Sequence, residues 1–122
     1  MILTDEHNLR TLSCYHDYLL KKHPTNRAIV DVWGDVNLET PNLDRLANEG
    51  AMYTNFYTVS PLCTPSRSSF MTGLYPSFSG TAEHNHGKLD TRFTTWAEVL
   101  RAQRGYHTGY MGKWHLDGEE KP

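Results

Sequence analysis

Apolar residues fall along the chain in short periodic runs, punctuated by proline and glycine. Leu9, Leu12, Tyr15, His16, Leu19 and Leu20 recur at three- and four-residue spacing, which predicts a helix over 7–22. Lys21, Lys22 and His23 suit its negative end, and Pro24 stops it. Residues 28–33 read as a short strand and 34–39 as a loop. Thr40 is placed to cap a second helix, with Pro41 in the first turn, an apolar stripe of Leu43, Leu46 and Ala47, and Gly50 as a left-handed exit. Residues 51–59 are aromatic and β-branched, as in a strand. A turn is predicted at Ser60-Pro61, and then Pro65 and Gly73 bracket about two helical turns.

Residues 77–93 are loop-like. Thr95 to Glu98 has the pattern of a capping box, opening a helix that closes at Gly105. Tyr106 to Met111 reads as a strand, and Met1 to Leu3 as the last residues of another, poorly anchored at the terminus. The alternation predicts an α/β domain with a largely parallel sheet flanked by helices. In such sheets ligands gather beyond the carboxyl ends of the strands. Three polar sets fall there: Asp5-Glu6, Cys63 to Arg67, and Lys113 to His115.

Composition narrows the class. A chain of 122 residues suits one domain. Hydrophobic residues are 38% and charged residues 21%, outside the range of composition-driven disorder. A net charge of 12 − 14 = −2 gives no reason to expect nucleic acid or an acidic lipid surface as partner. No apolar run approaches a membrane span, and the start, Met1-Ile2-Leu3 into Thr4-Asp5-Glu6, does not resemble a signal peptide. Cys14 and Cys63 cannot make a disulfide scaffold, and no Cys-x-x-Cys supports redox chemistry.

Each polar set has two readings. Cys63 before a helical turn, with Arg67 four residues on, suits an anion at the positive end of the helix; the plain alternative is a buried cysteine beside a solvated arginine. Asp5 and Glu6 offer two hard oxygen donors for a cation, or form a solvated turn. Lys113 and His115 would point to one side of an extended segment, pairing a fixed charge with a proton-transfer group; otherwise they form an ordinary strand end. His84 and His86 lack accompanying zinc ligands and read as loop histidines. Tyr53, Phe56 and Tyr57 read as core, and Cys14 as a half-buried structural thiol.

Together these sets resemble the type I sulfatases of the alkaline phosphatase superfamily. Cys63-Thr64-Pro65-Ser66-Arg67, with Thr72-Gly73 downstream, fits that family's Cys-x-Pro-Ser-Arg signature. Thr40-Pro41-Asn42-Leu43-Asp44-Arg45-Leu46-Ala47, Gly105-Tyr106-His107-Thr108 and Gly112-Lys113-Trp114-His115-Leu116 are also similar to the family and follow its order. The resemblance implies that residues 1–122 are the N-terminal part of an alkaline-phosphatase-like sulfatase domain whose C-terminal remainder is absent. It implies that a formylglycine-generating enzyme converts Cys63 to formylglycine, reading Pro65 and Arg67. One hydroxyl of the hydrated aldehyde would then take the sulfuryl group and the other would expel sulfate. Arg67 would hold the hydrate, Lys113 would bind sulfate oxygens, and His115 would assist proton removal. Asp5, Glu6 and the modified Cys63 would meet Ca²⁺, or Mg²⁺ or Mn²⁺.

The implied substrate is a sulfated small molecule or carbohydrate, and the family is mostly secreted, periplasmic or lysosomal. Glu6 departs from the family's usual second aspartate and reaches further. Related phosphonate monoester hydrolases vary at the same position. A phosphonate or phosphate monoester hydrolase is therefore the alternative within the superfamily, and a non-catalytic sulfatase-like binding protein that kept the frame is the alternative from a different functional class.

Overall fold

The computed structural model describes residues 1–30, 38–81 and 87–118, and its contacts divide the chain into two compact units, Met1–Asn55 and Phe56–Pro122. The first unit holds a 3-10 turn at Leu9–Thr11, then α1 (Ser13–Lys22), α2 (Arg27–Val30) and α3 (Pro41–Glu49). The single helix predicted over 7–22 is broken at Leu12, which is extended at φ −104° and ψ 124°. The cause is a tertiary cap. The Cys14 N–H donates to Asp44 Oδ1 at 2.9 Å, and the Ser13 N–H donates to Thr40 Oγ1 at 3.0 Å. The Ser13 hydroxyl donates to Asp44 Oδ2 at 2.7 Å. The first N–H groups of α1 thus meet acceptors from α3 and its cap, which an uninterrupted helix would have left no room for.

Several local expectations change for related reasons. Residues 28–30, expected in a strand, lie in α2, while 31–33 and most of the predicted loop lie outside the described residues. Thr40 does precede α3, but its hydroxyl donates to Asp44 at 3.0 Å and does not cap the helix N–H groups. Gly50 ends α3 at φ −122°, so it supplies no left-handed exit. A Cβ there would come within 2.9 Å of the Leu46 carbonyl oxygen, so close approach makes the glycine useful. Leu43 and Leu46 in the α3 stripe are exposed.

The second unit contains α4 (Cys63–Thr72), α5 (Pro76–Ser79) and α6 (Trp96–Arg104). Helix α6 is the element most completely predicted. The Glu98 N–H donates to Thr95 Oγ1 and the Thr95 N–H to the Glu98 carboxylate, while Gly105 is left-handed at φ 66°. Helix α4 starts two residues earlier than Pro65, so Cys63 is its first residue and not the one before its first turn. Pro65 is tolerated because N–H groups of the first turn have no acceptor within the helix. Gly73 closes it at φ 73°. The predicted loop over 77–93 begins inside α5.

The face that α4 buries is largely polar: Thr64, Arg67, Ser68 and Met71 follow helical spacing. Met71 joins Leu89 and Leu116 in a small core, with Phe93 and Trp114 against it. Ser68, Ser79 and Thr81 place three hydroxyls in a triangle with edges of 2.7–2.8 Å. Three hydroxyl protons can serve three edges, so a fully buried polar cluster stays hydrogen-bonded.

The expected sheet is the main correction. Among the described residues no strand forms; Lys88 and Asp117 make an isolated antiparallel bridge, with the Leu89 N–H donating to the Leu116 carbonyl at 3.0 Å. Residues 1–3, 51–59 and 106–111 are irregular. A strand exists only through a ladder with a neighbour, and strand-like composition supplies no neighbour. Tyr53, Phe56 and Tyr57, expected in the core, are 77–82% exposed. Among the described residues no helix is long and apolar enough to cross a membrane.

Two outcomes follow from these contacts. The hydrogen bond from Ser13 holds the Asp44 carboxyl below its ordinary value, as do those from Thr40 and Cys14. A carboxyl lowered on folding stabilises the folded state fully above the ordinary value of 3.8 and loses that effect as pH falls through the lowered one. Thermal unfolding followed from neutral to strongly acidic pH should show this loss, and Asp44→Asn should flatten it. Ser68→Ala should cost about 1–3 kcal/mol in urea unfolding, because it leaves buried hydroxyls short of a partner. A change near zero would remove the triangle from the stabilising contacts.

Candidate active site

The expected site residues separate by unit. Asp5 and Glu6 belong to the first, on an exposed irregular segment and not at a strand end, with Glu6 left-handed at φ 55°. Cys63, Arg67, Lys113 and His115 belong to the second. Helix α4 positions the first two and the segment after α6 the others. His84 and His86 lie outside the described residues.

Within the second unit, α4 meets the Lys113 to His115 segment. Lys113 Nζ lies 3.5 Å from Cys63 Sγ, across a sequence separation of 50 residues. Arg67 is 8% exposed, which excludes the solvated-arginine reading. Its Nη1 donates to the Lys113 carbonyl at 2.5 Å and to the Tyr110 hydroxyl at 3.2 Å. The Tyr110 hydroxyl donates in turn to the same Lys113 carbonyl. A buried guanidinium needs such acceptors, and a main-chain carbonyl provides one without adding charge. The Thr64 hydroxyl donates to the His115 carbonyl at 3.0 Å. Two residues of α4 therefore grip the main chain that carries Lys113 and His115.

The backbone at His115 is not the simple extended segment expected. Its φ is 57°, in the left-handed region, so the alternation argument that put Lys113 and His115 on one side does not hold. For a residue with a Cβ this conformation costs about 1–2 kcal/mol. One net hydrogen bond contributes about 1 kcal/mol, so the Thr64 contact is of the size needed to hold it. His115 Nδ1 is buried.

Chemically, the first turn of α4 and the Lys113 ammonium both favour negative charge beside Cys63. Cys63 is half-buried and remains reachable. At Cys14, by contrast, burial pushes the thiol above its ordinary value, and the Asp44 carboxylate adds to that. Metal binding is less complete. Asp5 and Glu6 have the right donor chemistry, but a calcium ion takes roughly six to eight oxygens. No group of three or more His, Cys, Asp or Glu among the described residues could hold a metal ion. The residues present therefore do not fit a whole cation site.

Sequence reasoning passed over Thr64 and Tyr110. Thr64 was the variable position of a motif, and Tyr110 one aromatic in an expected strand. Tyr110 packs edge-on against Trp114 at 5.0 Å, and both help to line a groove of about 770 Å³ with Met71, Trp96 and Leu100. No local signal marks either residue, because the partner that ties each to the site is distant in sequence: the His115 carbonyl for Thr64 and the Arg67 guanidinium for Tyr110.

The general sulfatase family profile matches residues 25–121. The chain belongs to the sulfatase family. An ulvan-active sulfatase of Formosa agariphila is 46% identical over 88 residues, covering 72% of this chain and 17% of that protein. Human steryl-sulfatase is 45% identical over 94 residues, covering 69% and 16%. Rat steryl-sulfatase is 37% identical over 126 residues, covering 95% and 18%. The chain thus spans less than a fifth of the length of these curated relatives. No solved structure matches it significantly. The matched span of this chain includes positions 63, 67, 113 and 115, whereas Asp5 and Glu6 precede it. Membership implies an alkaline-phosphatase-like α/β fold, of which the described residues display the helices.

Arg67→Met should destabilise the second unit by about 2 kcal/mol, since hydrogen bonds to a charged group are lost. Urea unfolding measures it. An unchanged midpoint would show that Arg67 does not organise the segment around Lys113.

Proposed function

We propose that this chain carries the nucleophile end of a sulfate ester hydrolase site, with Cys63 as the precursor of formylglycine. The observation that carries this is the Lys113 ammonium 3.5 Å from the Cys63 sulfur, within a Cys-x-Pro-Ser-Arg motif at the start of α4. The aldehyde, when hydrated, supplies two hydroxyls on one carbon, one to attack sulfur and one to drive sulfate release.

The chain's own residues would do the rest. Lys113 binds sulfate oxygens and offsets the negative charge that grows on them. Arg67, fixed by the Lys113 carbonyl and Tyr110, holds the hydrated side chain. His115 takes up a proton at its imidazole in the release step. Asp5 and Glu6 would contribute carboxylate oxygens to a divalent cation, Ca²⁺ or else Mg²⁺ or Mn²⁺, whose other ligands come from elsewhere. Substrates would be sulfated small molecules or carbohydrates, and a formylglycine-generating enzyme would be the maturation partner. Turnover needs the remainder of a sulfatase domain, so the 122-residue chain alone would not hydrolyse aryl sulfates.

Co-expression with a formylglycine-generating enzyme, followed by intact mass of the peptide containing Cys63, tests this reading. Conversion of thiol to aldehyde lowers the mass by about 18 Da. An unmodified Cys63 would favour a non-catalytic binding relative. A second assay follows aryl sulfate hydrolysis by the purified chain, where measurable turnover would contradict the half-site. A chain carrying the rest of the domain, offered sulfate and phosphonate esters side by side, separates the sulfatase from the phosphonate hydrolase that Glu6 leaves open.

A further inference from the structure

Thr64 is fully buried at the second position of α4, immediately after Cys63. Its hydroxyl donates to the main-chain carbonyl of His115 at 3.0 Å, 51 residues away. His115 is left-handed at φ 57°, and among the described non-glycine residues it shares that property only with Glu6. Leu116, the next residue, is 2% exposed and belongs to the core with Met71 and Leu89. The left-handed residue is therefore fixed on one side by packing at Leu116 and on the other by the α4 hydroxyl. One turn further along α4, Arg67 grips the carbonyl of Lys113.

We propose that Thr64 is a positioning residue for His115: its hydroxyl holds the His115 backbone left-handed, and so sets where the imidazole stands relative to residue 63. This rests on the catalytic reading of Cys63 and His115 given above. The physical logic is direct. A residue with a Cβ does not stay left-handed unless its surroundings over-determine it. Removing the Thr64 donor takes away one hold on that carbonyl and frees the chain to relax to negative φ. The ring direction follows φ, so the imidazole moves with it.

The test is NMR on the intact 122-residue chain. A left-handed residue has its amide and α protons unusually close, which gives a strong intraresidue cross-peak at His115. Thr64→Val keeps the branched shape and removes the hydroxyl. It should reduce that cross-peak to the intensity of ordinary residues and shift the His115 ring resonances. Thr64→Ser restores the hydroxyl and should retain both. Ser79→Ala, a destabilising change in the buried hydroxyl triangle and outside the Leu116 core, should leave the cross-peak strong, which separates positioning from general loss of stability. A strong cross-peak surviving in Thr64→Val overturns the proposal.

If Thr64→Val does not fold, the unaltered chain still decides. The Thr64 hydroxyl proton should exchange slowly enough to be seen, with a cross-peak to the α proton of Leu116, the residue that follows the acceptor carbonyl. A fast-exchanging hydroxyl overturns the proposal. These readouts do not depend on sulfate hydrolysis. A lost clamp beside a Cys63 that still matures sinks this inference alone, and an intact clamp beside a Cys63 that never matures sinks the catalytic reading.

Discussion

The buried polar face of α4 is the constraint on which the second unit depends. A helix that buries Thr64, Arg67 and Ser68 must find acceptors for each, because an unpaired polar group inside a protein costs more than a hydrogen bond gains. Those acceptors come from two later stretches of chain. Ser79 and Thr81 close around Ser68, and the carbonyls of Lys113 and His115 receive Arg67 and Thr64. Meeting this requirement brings residue 63 and residue 113 together. The apolar core of Met71, Leu89 and Leu116 is small, and it gives the closure direction without giving it register. Directional bonds do that.

The same economy governs the first unit. Asp44 stands at one side chain's reach from two helices, closing the N-terminus of α1 while bonding Thr40 at the head of its own helix. The motif around Thr40 and Asp44 thus has a structural role that needs no ligand. It explains why α1 begins at Ser13 when apolar spacing favoured an earlier start. Helix ends in this chain are set by whatever satisfies their free N–H groups, and at α1 that partner is 30 residues away.

Main-chain carbonyls are the common currency of the candidate site. Arg67 and Thr64 contact Lys113 and His115 through their backbone oxygens. Such a design separates the groups that place the machinery from the groups that would act. Membership of the sulfatase family gives this arrangement its meaning, and the lysine beside the motif cysteine is the contact that membership alone would not have supplied.

Local sequence determined the parts whose physics is local. The Thr95–Glu98 capping box and Gly105 fixed α6, Gly73 ended α4, Pro24 followed the end of α1, and the Cys63 to Arg67 and Lys113 to His115 motifs carried the resemblance to the family. Tertiary structure decided the rest. Strand-like composition at 51–59 and 106–111 could not become strand without a paired neighbour. The break at Leu12, the left-handed His115 and the approach of Lys113 to Cys63 each depend on a partner at least 27 residues distant in sequence. A hydrogen bond across that distance leaves no trace in the residues on either side of it, so it emerges only once the chain has folded.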